Sequence, residues 1–136
     1  MTSQKKENEV GFTVQTTGTV PAAVEAVTAE LKKRGFGVLS NIDVKKTIKE
    51  KIGEDIEDYV ILDVCNPRHA KKALDAHKEV GLALPCKVTV YKDHGSSWIS
   101  LYKPTEAIRA LGLSDLEPLA REVEGELSQA LSAVSK

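Results

Sequence analysis

The amino-acid sequence predicts a two-layer α/β (α+β) domain, a mixed sheet of about five strands with helices packed on one face. Three observations lead there. At 136 residues the chain has the length of one domain. Runs with apolar residues at every second position alternate along it with runs spaced by three and four, the periods of strands and helices. Gly, Pro, Asp or Asn stands at most of the junctions, where turns and caps favour such residues.

Residues 1–8 are polar and charged and are expected to form a disordered terminus, leaving 9–136 as the single domain. Val10, Phe12 and Val14 alternate with polar residues as a first strand. Thr19 and Pro21 then open a helix that carries Val24, Val27 and Leu31 on one face. Lys32, Lys33 and Arg34 complement its carboxyl end, and Gly35 stops it. Phe36, Val38, Ser40 and Ile42 form a second alternating run. Asp43 caps a helix whose apolar row is Val44, Ile48 and Ile52, closed by Gly53. Tyr59 to Cys65 is nearly all apolar, as a strand covered on both sides would be. Asn66 and Pro67 start a helix with Ala70, Ala73 and Leu74, expected to end at Gly81.

From Val80 the even positions Val80, Leu82, Leu84, Cys86, Val88 and Val90 read as one long strand, with Pro85 marking an edge or a bulge. Asp93-His94-Gly95 is a turn, and Trp98 to Tyr102 the returning arm of a hairpin. Pro104 begins a short helix that Gly112 ends. Ser114 and Glu117 spell a capping box for a last helix with the stripe Leu119, Val123, Leu127, Leu131 and Val134. Three strand–helix–strand steps favour parallel crossovers, which is why the sheet is expected to be mixed. Helices on one layer leave the other face bare, and a second copy of the chain is expected to cover it.

The 19 Lys and Arg residues nearly balance the 20 Asp and Glu, for a net charge of −1. Such a surface has no bulk field for nucleic acid or an anionic membrane, so neither is expected as a partner. No 18 apolar residues run together, which excludes a spanning helix of ordinary length. The first 20 residues hold no apolar h-region, so no signal peptide is expected. With only two cysteines, a reducing cytoplasm is the expected compartment and both thiols are expected to be free.

Three blocks carry a resemblance: GFGVLSNIDVKKTIKEKIG over residues 35–53, YVILDVCNP over 59–67 and VGLALPCKVTVY over 80–91. Together they resemble the domain-of-unknown-function family numbered 302, with a likeness that covers nearly all of the chain beyond residue 10. The resemblance implies a small α/β fold that forms homodimers. It implies no agreed activity and names no cofactor.

Cys65 leads the candidate residues. It ends a strand directly before a helix cap, where open α/β sheets place ligands and where a helix N-terminus holds anions and lowers a thiol pKa. Arg68, in the first turn of that helix, would assist an anion or a thiolate. The alternative is a small buried thiol that simply packs. Asp63 lies on the same side of its strand as Cys65, and it either pairs with a lysine across the sheet or lines a polar pocket with Cys65. Cys86 reads as a core thiol. Strand parity turns the two sulfurs to opposite faces unless a bulge at Pro85 intervenes. His69, four residues after Cys65, can share a metal with it, although zinc usually wants four such ligands; otherwise it is a surface histidine.

Gly35-Phe36-Gly37 follows a helix and precedes a strand, the reverse of a dinucleotide fingerprint, and reads as a turn. Lys45, Lys46, Lys49 and Lys51 read as a solvated face. The expectation is a cytoplasmic homodimeric binding module for a small anion, metal or compact cofactor near Cys65, Asn66, Arg68 and Asp63. The alternatives are a thiol-dependent enzyme or sulfur carrier using Cys65, and an interaction protein with no ligand. The sequence does not identify the ligand or cofactor.

Overall fold

The computed structural model describes residues 5–135. Its strands are β1 (Lys5–Glu7), β2 (Gly11–Thr16), β3 (Gly37–Asp43), β4 (Tyr59–Cys65), β5 (Cys86–Asp93) and β6 (Ser96–Tyr102). Its helices are α1 (Val20–Lys33), α2 (Val44–Ile52), α3 (Pro67–Ala76), α4 (Pro104–Leu111) and α5 (Glu117–Ala133), with 3-10 segments at Lys78–Ala83 and Ser114–Leu116. The strands form one sheet in the order β1-β2-β6-β5-β4-β3.

Every neighbouring pair is antiparallel, so the sheet is not mixed, and it has six strands rather than about five. The reason lies in the connections. Asp43 at the end of β3 is opposite Val60 at the start of β4, and Val64 near the end of β4 is opposite Cys86 at the start of β5. Helix α2, and likewise α3 with its 3-10 segment, therefore leave and rejoin the sheet at one end. A helix-length connection permits a parallel step but does not require one. Helix α1 alone carries the chain from one side of the sheet, at β2, to the far edge at β3.

The register explains the core. Val14 pairs with Ile99, Ile99 with Val90 and Val90 with Val60, and the next row joins Leu62, Val88 and Leu101. These side chains share one face. They are buried against Val27 and Leu31 of α1 and Val123, Leu127 and Leu131 of α5, in agreement with the stripes read from the sequence. Thr16, buried at the end of β2, donates its hydroxyl to the Val134 carbonyl at 2.8 Å, so its polar group is satisfied.

Among the described residues, α1 and α5 leave the opposite face uncovered, and Ala107, Ala110 and Leu111 of α4 border it beside Asp63, Lys87 and Tyr102. That face presents the stacked rings of Tyr59 and Tyr91, 5.1 Å apart, with Lys6 4.0 Å from the ring of Trp98. A hydroxyl chain joins Thr13, Ser100 and Tyr91.

Four local expectations give way. Residues 5–7 pair with β2 rather than fraying, and Asn8 accepts from the Val10 and Gly11 amides, while residues 1–4 of the expected disordered terminus lie outside the described residues. Residues 78–83 are a 3-10 segment, not strand, and the strand starts only after the cis Leu84–Pro85 bond. Helix α3 stops at Ala76, short of Gly81. The Ser114–Glu117 box does not form: Ser114 lies in a 3-10 turn, and α5 begins with Pro118 in its first turn and no side-chain cap. No described helix is long and apolar enough to cross a membrane.

Candidate ligand cavity and its histidine rim

The excursion made by α3 and the Lys78–Ala83 segment places a second, smaller apolar cluster beyond the sheet. Ala73, Val80, Ile108, Leu113, Leu116 and Ala120 form it, drawn from α3, α4, α5 and the segments between them. A cavity of about 60 Å³ remains where this cluster meets the ends of β4 and β5. The space suits a few waters or a small organic molecule. Its wall includes Phe36, Val64, Cys65, His69, Ala73, Cys86, Ile108 and Ala120. The walls are held by local chemistry. Asn66 caps α3, its side-chain oxygen accepting from the Arg68 and His69 amides at 3.1 and 3.4 Å. Glu124 of α5 ties down the start of α4, accepting from the Thr105 amide and hydroxyl at 3.1 and 2.7 Å.

Gly35 adds a constraint at the same corner. Its φ of +82° is in the left-handed region, and a Cβ there would stand 3.1 Å from the Asn66 amide nitrogen. Only glycine joins α1 to β3 this way without disturbing the cap of α3.

The structure divides the residues singled out from the sequence. Cys65, Asn66 and His69 do line the cavity, together with Cys86. Arg68 is exposed and lies outside its wall. Asp63 also lies outside the wall, on the open sheet face. There it accepts the Ser40 hydroxyl at 2.6 Å and faces Lys87 across the sheet at 3.9 Å. Of its two sequence readings, the cross-sheet lysine pair is the one observed. The helix N-terminus that would have held an anion is already satisfied by Asn66.

Both thiols are free. The register places Cys86 opposite Val64, so parity along the strands is as expected, yet both thiols border one cavity because it lies at the strand ends. Burial pushes the Cys65 thiol above its ordinary value. Burial pushes Cys86 up to about 11, with a smaller push from the neighbouring Cys65. These environments favour the protonated thiol, the reverse of the activation expected at a helix N-terminus.

His69 forms the polar rim. Its Nε2 lies 3.1 Å from Glu126 Oε1 and 3.5 Å from Glu122 Oε2, both on α5. Its ring lies 6.2 Å from that of Phe36. Nδ1 is buried and has no partner, the one such side-chain nitrogen or oxygen among the described residues. The sequence reading missed Phe36, Glu122 and Glu126 as site residues. The available signal was the spacing of two carboxylates one turn apart, flanking the buried Val123 on the last helix.

Together these features define a small two-layer α+β domain, with an antiparallel sheet backed by α1 and α5 and a partly open apolar cavity bordered by α3, α4 and α5. The family model of DUF302, a domain of unknown function, matches residues 12–134, and the chain belongs to that family. It is similar to the crystal structure of an uncharacterized conserved DUF302 protein from Bacillus stearothermophilus, with a TM-score of 0.89 and 31% sequence identity over 93% of this chain and 99% of the other. No curated protein matches the chain.

Proposed function

We propose that the protein is a binding module that holds a compact, mostly apolar ligand in the cavity between the ends of β4 and β5 and helices α3, α4 and α5. One observation carries the reading: the apolar wall includes one residue, His69, whose buried nitrogen lacks a partner. Buried polar atoms are paired in native proteins almost without exception, so an unpaired imidazole nitrogen beside a space of this size suits a ligand that brings one polar group. Within this reading Cys65 and Cys86 are polarisable walls, and Asn66 holds the rim through the cap of α3.

The raised thiol values weigh against the rival reading, in which Cys65 is a nucleophile or sulfur carrier, because only the thiolate attacks. The rest of the proposal concerns assembly and place. The protein works in the cytoplasm as a homodimer, its second copy covering the open sheet face around Ile61 and Tyr102. The exposed Ile42 at the edge of that face supports such a cover.

Native mass spectrometry of protein purified without a tag or added metal tests the module. Under the proposal a small mass is retained at one per chain, and Ala120→Leu, which fills the cavity, loses it. A bare polypeptide mass that no small apolar compound shifts, even in excess, would refute it.

A further inference from the structure

We infer that His69, Glu122 and Glu126 form a binding site for one divalent first-row metal ion, zinc above all, at the rim of the cavity. His69 stands in the first turn of α3, and the two carboxylates stand one turn apart on α5, so two elements that pack together present three donors to one point. One donor atom from each lies within 4.8 Å of the others. The imidazole nitrogen is 3.1 and 3.5 Å from the two carboxylate oxygens. Ligand atoms bound at about 2.1 Å to a tetrahedral zinc are about 3.4 Å apart, so an ion fits with small rotations of the two carboxylates.

Charge points the same way. Four other helix carboxylates meet a basic residue three or four positions away: Glu30 with Lys33 and Arg34, Asp75 with Lys71, Glu106 with Arg109, and Glu117 with Arg121. Among the described residues, no lysine or arginine pairs with Glu122 or Glu126. Like charges four apart on a helix repel, and here they converge on a single ring nitrogen. That nitrogen can donate one proton, to one of them. A divalent cation satisfies both carboxylates and the imidazole together. One nitrogen and two oxygens suit zinc, manganese or iron(II) better than copper(I), which prefers sulfur.

Three protein ligands leave a fourth position open for water or another small donor. With Nε2 on the metal, the ring proton resides on Nδ1, so the buried nitrogen becomes a donor. This site does not depend on what the cavity holds, and variants of the cavity wall tell the two apart.

The test is calorimetric titration of chelator-treated protein with zinc, alongside manganese titration followed by electron paramagnetic resonance, a cation that avoids thiolates. The site predicts one zinc per chain, one competing manganese, and a higher melting temperature with zinc. Glu122→Gln and Glu126→Gln, at partly exposed positions that the fold does not need, each weaken zinc at least tenfold, while Cys65→Ser and Ala120→Leu leave it unchanged. Absence of binding at millimolar zinc would overturn the inference. So would Gln variants that bind as the wild type does, or binding lost with Cys65→Ser.

Discussion

Filling the cavity separates a ligand site from a core that merely packs. Ala120 of α5 is buried in its wall, and leucine is a good helix former, so Ala120→Leu changes little but volume. Leucine adds three carbons. At about 0.8 kcal/mol for each carbon taken out of water, the gain is about 2 kcal/mol if the added atoms enter the 60 Å³ space. A close-packed site would answer with the opposite sign, since forcing extra carbons into a filled core costs about 1–3 kcal/mol. Urea denaturation of the two proteins in parallel measures the difference as a shift in midpoint at constant slope. The account predicts a more stable variant that has lost ligand binding. A variant destabilised by a kilocalorie or more would refute the cavity, and with it the reasoning about His69.

Cys86 gives a pH prediction. Its thiol is pushed from the ordinary 9.0 up to about 11. Above pH 9 the unfolded chain releases a proton that the folded chain keeps, so stability is full below that pH and falls as pH rises towards 11. The loss approaches about 3 kcal/mol, and Cys86→Ala, compared by denaturant melts across this range, removes that part of the slope; an unchanged slope contradicts the assignment. Gly35→Ala places a side chain at positive φ and against Asn66; destabilisation by about 1–3 kcal/mol is expected from the strain, and a neutral result in the same melts counts against the cap geometry. Light scattering at micromolar concentration should report twice the 14.8 kDa chain mass, and a monomer would remove the proposed cover from the open face.

Much of this fold was readable in the sequence because its local signals are strong. Thr19, Asp43 and Asn66 do cap their helices, and the even positions Val60, Leu62, Val64, Val88 and Val90 do share the covered face. Strand direction was not readable, because a helical connection looks the same whether it crosses the sheet or returns to the same end. The Val80–Leu84 stretch misled for a related reason. Val80 is buried and Leu82 is 81% exposed, a pattern set by a 3-10 turn over the second cluster rather than by a pleat. Of the candidate site, Cys65 and His69 were visible through their position beside a cap, while Glu122 and Glu126 come near His69 only through the packing of α3 on α5. Arg68 and Asp63 stand close to Cys65 in sequence, but neither lines the cavity.

The central claim is that this cavity takes a ligand. Amide NMR spectra recorded while a small set of compact aromatic and aliphatic compounds, each with one polar group, is titrated in test it most directly. The account predicts saturable shifts confined to residues around Cys65–Ala73, Val80–Cys86 and Leu116–Val123, abolished in Ala120→Leu. Spectra that no compound perturbs there, or shifts that persist unchanged in the filled variant, would contradict it.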